Sequence, residues 1–241
     1  MKLILKHLKK SRHLIFLDLE GTQFSHEMIA LGAVRADLHR DGSIKKIHQG
    51  FKIYVQPKGK IGSYVSKLTG IEKETLDRQG IPYKDALEQL KKYCARVYNK
   101  CMFVTFGNHD LRILNQSLLA SSDADSEIVK HICSHDIDFS NLLSEYVRDD
   151  KNNPLSLTNY CKVFQVEMEG IAHDPLYDAI NLAKLYQAVY KNRELVEKEY
   201  LKVLQNMRHL PTPVRKAIHR LTSGEDVTSS QFMKDVKETI G

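Results

Sequence analysis

The sequence predicts an α/β fold: a mixed five-stranded sheet flanked by helices, with a helical C-terminal extension. Three observations carry this. Strand-type patterns come first, at residues 14–20, 28–38 and 44–55. Strand and helix patterns then alternate, as in domains that layer helices on a sheet. From about residue 191 only helix-type stripes remain. A chain of 241 residues, 42% hydrophobic and 27% charged, fits one folded domain with an appendage.

Each element has a local reason. Leu14-Ile15-Phe16-Leu17-Asp18-Leu19-Glu20 is nearly continuous in apolar residues, as a central strand buried on both faces should be. Met28 to Leu38 reads as a second strand. Asp41-Gly42-Ser43 is a turn signal before a third at 44–55, so the domain starts as an antiparallel meander. Short helices are expected at 63–69 and 72–78. Over 83–99, Ala86, Leu87, Leu90, Tyr93, Cys94 and Val97 fall on one helical stripe. Residues 102–106 give a fourth, buried strand. Helices at about 110–119 and 125–131 lead to a fifth strand at 132–137. Helices at 139–147 and 156–163 follow, then a strong stripe at 174–190. Beyond it, Pro211, Pro213 and Ser223-Gly224 interrupt the helical pattern. The expected units are residues 12–190 and the extension 191–241.

Composition removes several classes. No apolar run approaches the ~20 residues of a membrane span. The N-terminal apolar stretch, Leu3-Ile4-Leu5, is shorter than the roughly 7–15 residues of a signal peptide, so a cytoplasmic protein without a membrane partner is expected. Cys94, Cys101, Cys133 and Cys161 form no CxxC pair, which argues against a zinc ribbon or a disulfide framework and for reduced, mostly buried thiols. Lys and Arg number 36 against 30 Asp and Glu, a net charge of +6. Residues 1–13, 44–60 and 200–220 are basic and free of acids. Each run alone reads as a solvated face; three together point to a phosphate-rich partner.

The acids are placed more tellingly. Asp18 and Glu20 share one face of a strand that otherwise reads as buried, because residues i and i+2 point the same way. Two neighbouring carboxylates repel and resist desolvation, which a divalent cation between them would relieve. A strand end where both reach water is the alternative. Asp110 follows the strand at 102–106 after a short turn, the place of a helix N-cap and also of α/β active sites. In His173-Asp174-Pro175-Leu176-Tyr177-Asp178-Ala179, Pro175 suits a first helical turn, leaving His173 in the loop before it and Asp178 a turn inside. Singly, these have ordinary explanations in capping and the helix dipole. Together, DxE…D…HxxxxD is the donor set that two-metal phosphodiester hydrolysis requires, with a histidine to take the water's proton.

On these motifs the chain resembles the DEDDh branch of the DEDD 3′–5′ exonuclease superfamily, which includes RNase T, oligoribonuclease and the proofreading epsilon subunit of bacterial DNA polymerase III. The first motif is Phe16-Leu17-Asp18-Leu19-Glu20-Gly21-Thr22 and the second Phe103-Val104-Thr105-Phe106-Gly107-Asn108-His109-Asp110-Leu111. The third is the His173–Ala179 segment. The cast of the second motif is most similar to the Eri-type and KapD-type exonucleases. The resemblance spans about residues 12–190. It implies an RNase H-like fold and two Mg²⁺ or Mn²⁺ held by Asp18, Glu20, Asp110 and Asp178. It implies His173 as general base, and a single-stranded 3′ end of RNA or DNA as substrate. It also implies that Leu68, Thr69 and Ile71 pack on the terminal nucleotide and that Thr22 and Phe24 contact its backbone and base. Two residues depart from the family. Gly21 stands where members carry Thr or Ser, which removes a hydroxyl contact to substrate, and acidic Asp174 follows the motif-three histidine. The rival readings are an HD-type phosphohydrolase, suggested by His109-Asp110, His135-Asp136 and His173-Asp174, and a catalytically silent nucleic-acid-binding or scaffold module. The extension is a candidate docking element.

Overall fold

A computed structural model describes residues 2–240. Its centre is a six-stranded mixed sheet: β1 (His13–Gly21), β2 (Met28–Leu38), β3 (Ile44–Ile47), β4 (Phe51–Tyr54), β5 (Met102–Thr105) and β6 (Asp136–Asp138). The order is β3-β2-β1-β5-β6, with β4 also paired to β2. β1 and β2 are antiparallel, whereas β1, β5 and β6 run parallel. The helices are α1 (Lys2–His7), α2 (Ser63–Thr69), α3 (Lys73–Gln79), α4 (Tyr83–Cys94), α5 (His109–Ala120), α6 (Ser126–Ser134), α7 (Phe139–Ser144), α8 (Leu157–Val163), α9 (Pro175–Lys191), α10 (Arg193–Gln205), α11 (Thr212–Thr222) and α12 (Ser229–Ile240).

The alternation of β1 builds both halves of the core. Leu14 and Phe16 face α9, α7 and α8, where Leu182, Leu185, Tyr186, Phe139 and Tyr160 are buried with them. Ile15 and Leu17 face α4, α5 and α6, packing with Leu87, Leu90, Ile113 and Ile132. Each such side chain stabilises the fold by roughly 1.5–3 kcal/mol through burial. Asp18 and Glu20 continue the row of Leu14 and Phe16, so they meet the start of α9 where the hydrophobic packing ends.

Three expectations are corrected. The third strand, expected whole at 44–55, is two strands, which raises the sheet from five strands to six. His48 leaves the ladder to meet Asp37 at 2.7 Å, the Gln49 carbonyl accepts from the Tyr93 hydroxyl, and Gly50 passes so close to Ala33 and Leu176 that a Cβ would clash. The fifth strand, expected at 132–137, is only Asp136–Asp138. Ile132 instead completes the buried stripe of α6 with Ile128 and Val129; short apolar runs do not distinguish helix from strand by pattern alone. The helix expected over 83–99 ends at Cys94, where Ala95 takes φ 49° and a 3₁₀ turn follows. The sheet contradicts the all-helical HD-type reading. Helix α1 had no counterpart in the sequence reading; it docks through buried Ile4 and Leu8.

Among the described residues no helix is long and apolar enough to cross a membrane. Cys94, Cys101 and Cys161 are buried and Cys133 half-buried. The C-terminal helices are tied in stepwise. Val196 of α10 enters the core and Tyr200 lies 5.0 Å from Tyr146, while Arg220 of α11 grips buried Asp235 of α12.

Candidate active site

β1 carries Asp18 and Glu20 to its C-terminal end. Next to it, β5 ends at Thr105 and the chain turns through Gly107, at φ 95°, into α5. The cap position there is Asn108, so Asp110 is not the N-cap. Its side chain is buried, and its Oδ1 accepts the backbone N–H of Leu19 at 2.8 Å. That bond joins the second motif to the first, between the two acids of β1.

The third motif closes the cluster from the opposite layer. Asp174 caps α9, its Oδ1 accepting the Leu176 N–H at 3.0 Å, and Pro175 occupies the first turn. Asp178 Oδ2 accepts the His173 N–H at 2.9 Å, which holds His173 in a left-handed conformation at φ 65°. The exposed ring of His173 places Nδ1 3.8 Å from Glu20 Oε1. One potential ligand atom each from Glu20, His173 and Asp178 lies within 4.8 Å of the others.

The electrostatics show what the cluster lacks. Burial, then Asp110, Glu20 and Asp178 in turn, hold the Asp18 carboxyl well above the usual carboxylate range. Burial, then Asp178 and Asp110, push Glu20 up to about 8. Burial pushes Asp110 up to about 7 although the Leu19 N–H favours its charged form. Burial also raises Asp178. The cation at hand, Lys52, is bound to Asp174 at 2.7 Å and relieves Glu20 only in part. Glu20 and Asp178, whose ligand atoms lie together with that of His173, have too little positive charge beside them and fit a hard divalent cation, with Asp18 and Asp110 close enough to add to the repulsion.

This has a consequence for stability. Acids whose folded pKa lies above the unfolded value keep protons that the unfolded chain has released, so folding weakens as pH rises between the two values. The metal-free protein is therefore expected to melt several degrees lower at about pH 8 than at about pH 5, since roughly 1 kcal/mol moves the Tm of a chain this size by about 2–4 °C. Added Mg²⁺ should restore most of the difference at pH 8. Thermal melts across that range, with and without Mg²⁺, check both signs.

Gly32 and Glu27 carry no signal in the sequence, and Lys52 stands there only as one cation of an acid-free basic run. Gly32 pairs with Asp18 across the β1–β2 ladder, and a Cβ there would lie 2.1 Å from the Pro175 carbonyl carbon and oxygen. Only a glycine lets α9 lie this close to the acids. Lys52 pairs with Gly32 from β4 and fastens the α9 cap through Asp174. That contact gives the acid after the motif-three histidine a structural role. Glu27 is buried, and its carboxylate accepts the N–H groups of Lys58 and Gly59 at 2.8 and 3.0 Å and the Ser25 hydroxyl at 2.8 Å, stapling two loops.

The expected substrate-contact residues divide by exposure. Phe24 is 75% exposed and Leu68 39% exposed. Their segments are joined, since Gln23 N–H donates to the Ile61 carbonyl at 2.8 Å and Tyr64 N–H to Gln23 Oε1 at 3.3 Å. Ile71 is buried with Ile29, Val65 and Leu76. The Thr69 hydroxyl donates to the Val65 carbonyl and accepts the Ile71 N–H. Thr22 is buried, its hydroxyl bonded to Ser25 and to the Glu27 N–H. Gly21 faces Ile113 so closely that a Cβ would come within 2.8 Å of Cγ1, so a serine or threonine would displace that core side chain.

A mixed sheet with acids gathered at the ends of two adjacent parallel strands and under a facing helix start defines a nuclease of the RNase H-like class. Solved structures agree in fold. The nuclease domain of 3'hExo, a DEDDh family member bound to rAMP, is 19% identical over 76% of this chain and 94% of its own, with a TM-score of 0.64. E. coli Exonuclease I in complex with a dT13 oligonucleotide is 16% identical over 80% of this chain and 44% of its own, with a TM-score of 0.58. S. pombe Pop2p, solved with Mg²⁺ and Mn²⁺ bound, is 15% identical over 81% of this chain and 89% of its own, with a TM-score of 0.54. None of the curated proteins matches the sequence. The profile of the RNase T exonuclease family matches residues 15–186, and the chain belongs to that family.

Proposed function

We propose that this exonuclease removes nucleoside 5′-monophosphates one at a time from single-stranded 3′ ends of RNA or DNA, using two Mg²⁺ or Mn²⁺ held by Asp18, Glu20, Asp110 and Asp178. The observation that carries the reading is the convergence of three distant motifs on one over-acidic cluster. Asp110 is bonded to the strand of Asp18 and Glu20, and His173 is held between Asp178 and Glu20. When bound, the ions supply an activated water and stabilisation of the leaving oxygen.

The chain's own residues do the rest. His173, exposed at the rim, takes the proton of the attacking water. Asp178 positions it by accepting its backbone N–H. Phe24 and Leu68 offer exposed apolar surface on which an unstacked terminal base packs. Thr22, Thr69 and Ile71 support that surface from within, and Gly21 leads the chain into it past Ile113. Residues 12–190 form the catalytic unit, and 191–241 an appended helical unit that is a candidate docking element.

Polarity is tested with a circular single strand and with a 3′-phosphate end. Both should resist attack while the matching 3′-hydroxyl strand is degraded; equal degradation of the circle would refute an exonuclease. The base is tested by His173→Ala, which should lower the rate by roughly 10²–10⁴-fold. Binding of a labelled oligomer in Ca²⁺ should be nearly unchanged. A collapse of binding together with the rate would make His173 a substrate-holding residue instead.

A further inference from the structure

A second charged surface lies at the end of the sheet away from the acids. Asp18 pairs with Gly32, and five residues back along β1 His13 pairs with Asp37, a distance of about 17 Å along the strand. There α1 and its following turn meet the β2–β3 turn. The Leu38 N–H donates to the Arg12 carbonyl at 2.8 Å, and Leu5 and Leu8 fill the space over Gly42. Apolar packing of Ile4 and Leu8 fixes the segment and turns its cations outward. Lys6, Lys10, Arg12, Arg40, Lys45 and Lys46 are all exposed, and among the described residues their side chains have no ion-pair or hydrogen-bond partner. The acids within the same segments are engaged. Asp37 is held by His13, His48 and Arg35, and Asp41 by Ser43.

Lysines on an edge strand discourage pairing with other chains. That explains Lys45 and Lys46 on β3 but not four more cations on two other segments. The exposed large apolar side chains here are Leu5 and Ile47, with no aromatic ring among them. A surface whose exposed groups are mainly cations, with little apolar area for unpaired bases, suits phosphates.

We propose that this end binds the sugar-phosphate backbone of a double-helical nucleic acid, as a contact separate from the carboxylate site. A duplex presents one phosphate charge per ~1.7 Å of its axis, dense enough to face six clustered cations. The contact rests on the nuclease reading only for its role, which would be to hold the helical part of a molecule whose 3′ end is being degraded.

The test uses the full chain with Lys10→Glu, Arg40→Glu, Lys45→Glu and Lys46→Glu combined. Binding of a labelled duplex of about 20 base pairs is measured in Ca²⁺ between about 50 and 200 mM salt. The unaltered protein should bind with a log–log salt slope of about −5, as six phosphate contacts imply. The variant should bind at least about tenfold more weakly with a much shallower slope, while hydrolysis of a short single strand stays unchanged. Equal duplex binding by the two proteins overturns the proposal. So does binding of phosphatidylserine vesicles by the unaltered protein without binding of the duplex. If the reversed charges lower the Tm, the four alanine replacements give the same comparison. Failure of the unaltered protein to hydrolyse the short strand would refute the nuclease reading alone and leave the duplex result standing.

Discussion

Asp18→Asn is expected to bring hydrolysis below detection and at the same time to raise the Tm of the metal-free protein. Asp18 is the acid most surrounded by others, with Asp110, Glu20, Asp178 and Asp174 all opposing its ionisation. Removing its charge relieves that repulsion where no metal is bound. The same change takes away a ligand that divalent ions need. The companion acids should behave differently in stability though not in rate. Asp110→Ala orphans the buried Leu19 N–H, and a buried donor left unpaired costs about 1–3 kcal/mol, whereas Asp178→Ala frees the exposed His173 N–H to water. Hydrolysis and melting of the three variants, measured without and with Mg²⁺, separate the two effects. Residual activity in Asp18→Asn near the unaltered rate would remove the metal site from the mechanism.

Gly32→Ala is expected to cost at least roughly a hundredfold in rate, because a misplacement of about 1 Å suffices for that. The added Cβ meets the carbonyl carbon and oxygen of Pro175 and the Leu176 nitrogen, all backbone atoms, so no side chain can rotate away. Helix α9 must lift from β2, carrying Asp178 and the His173 loop away from Asp18. Overpacking of this kind destabilises by about 1–3 kcal/mol, a Tm loss of roughly 2–12 °C. A variant with unaltered rate and Tm would mean that α9 can move without disturbing the acids.

What was legible in the sequence was local. The i and i+2 acids of β1 are visible because strand periodicity is 2, and the His173–Asp178 spacing because Pro175 marks a helix start. The sheet followed from strand patterns of ordinary length, and it failed at 44–55 where three residues between two short strands serve other elements. Contacts across long separations left no trace. Asp110 meets Leu19 across 91 positions and Lys52 meets Asp174 across 122. Gly32 looks like any glycine in a strand until a helix is seen resting on it. Thr22, expected at the nucleotide, spends its hydroxyl within its own loop, because a tight turn from Gly21 to Glu27 needs internal partners. Lys52 sat in an acid-free basic run, which marked it as a phosphate contact rather than as the partner of a helix cap.

The most direct measurement is the product ladder from a 5′-labelled single-stranded oligomer incubated with the full chain in Mg²⁺, in Mn²⁺ and in EDTA. Release from the 3′ end gives a ladder shortening by single nucleotides with either metal, mononucleotide 5′-phosphates in solution, and no change in EDTA. Degradation that persists in EDTA, or internal fragments formed before any 3′ shortening, would contradict a metal-held 3′–5′ exonuclease.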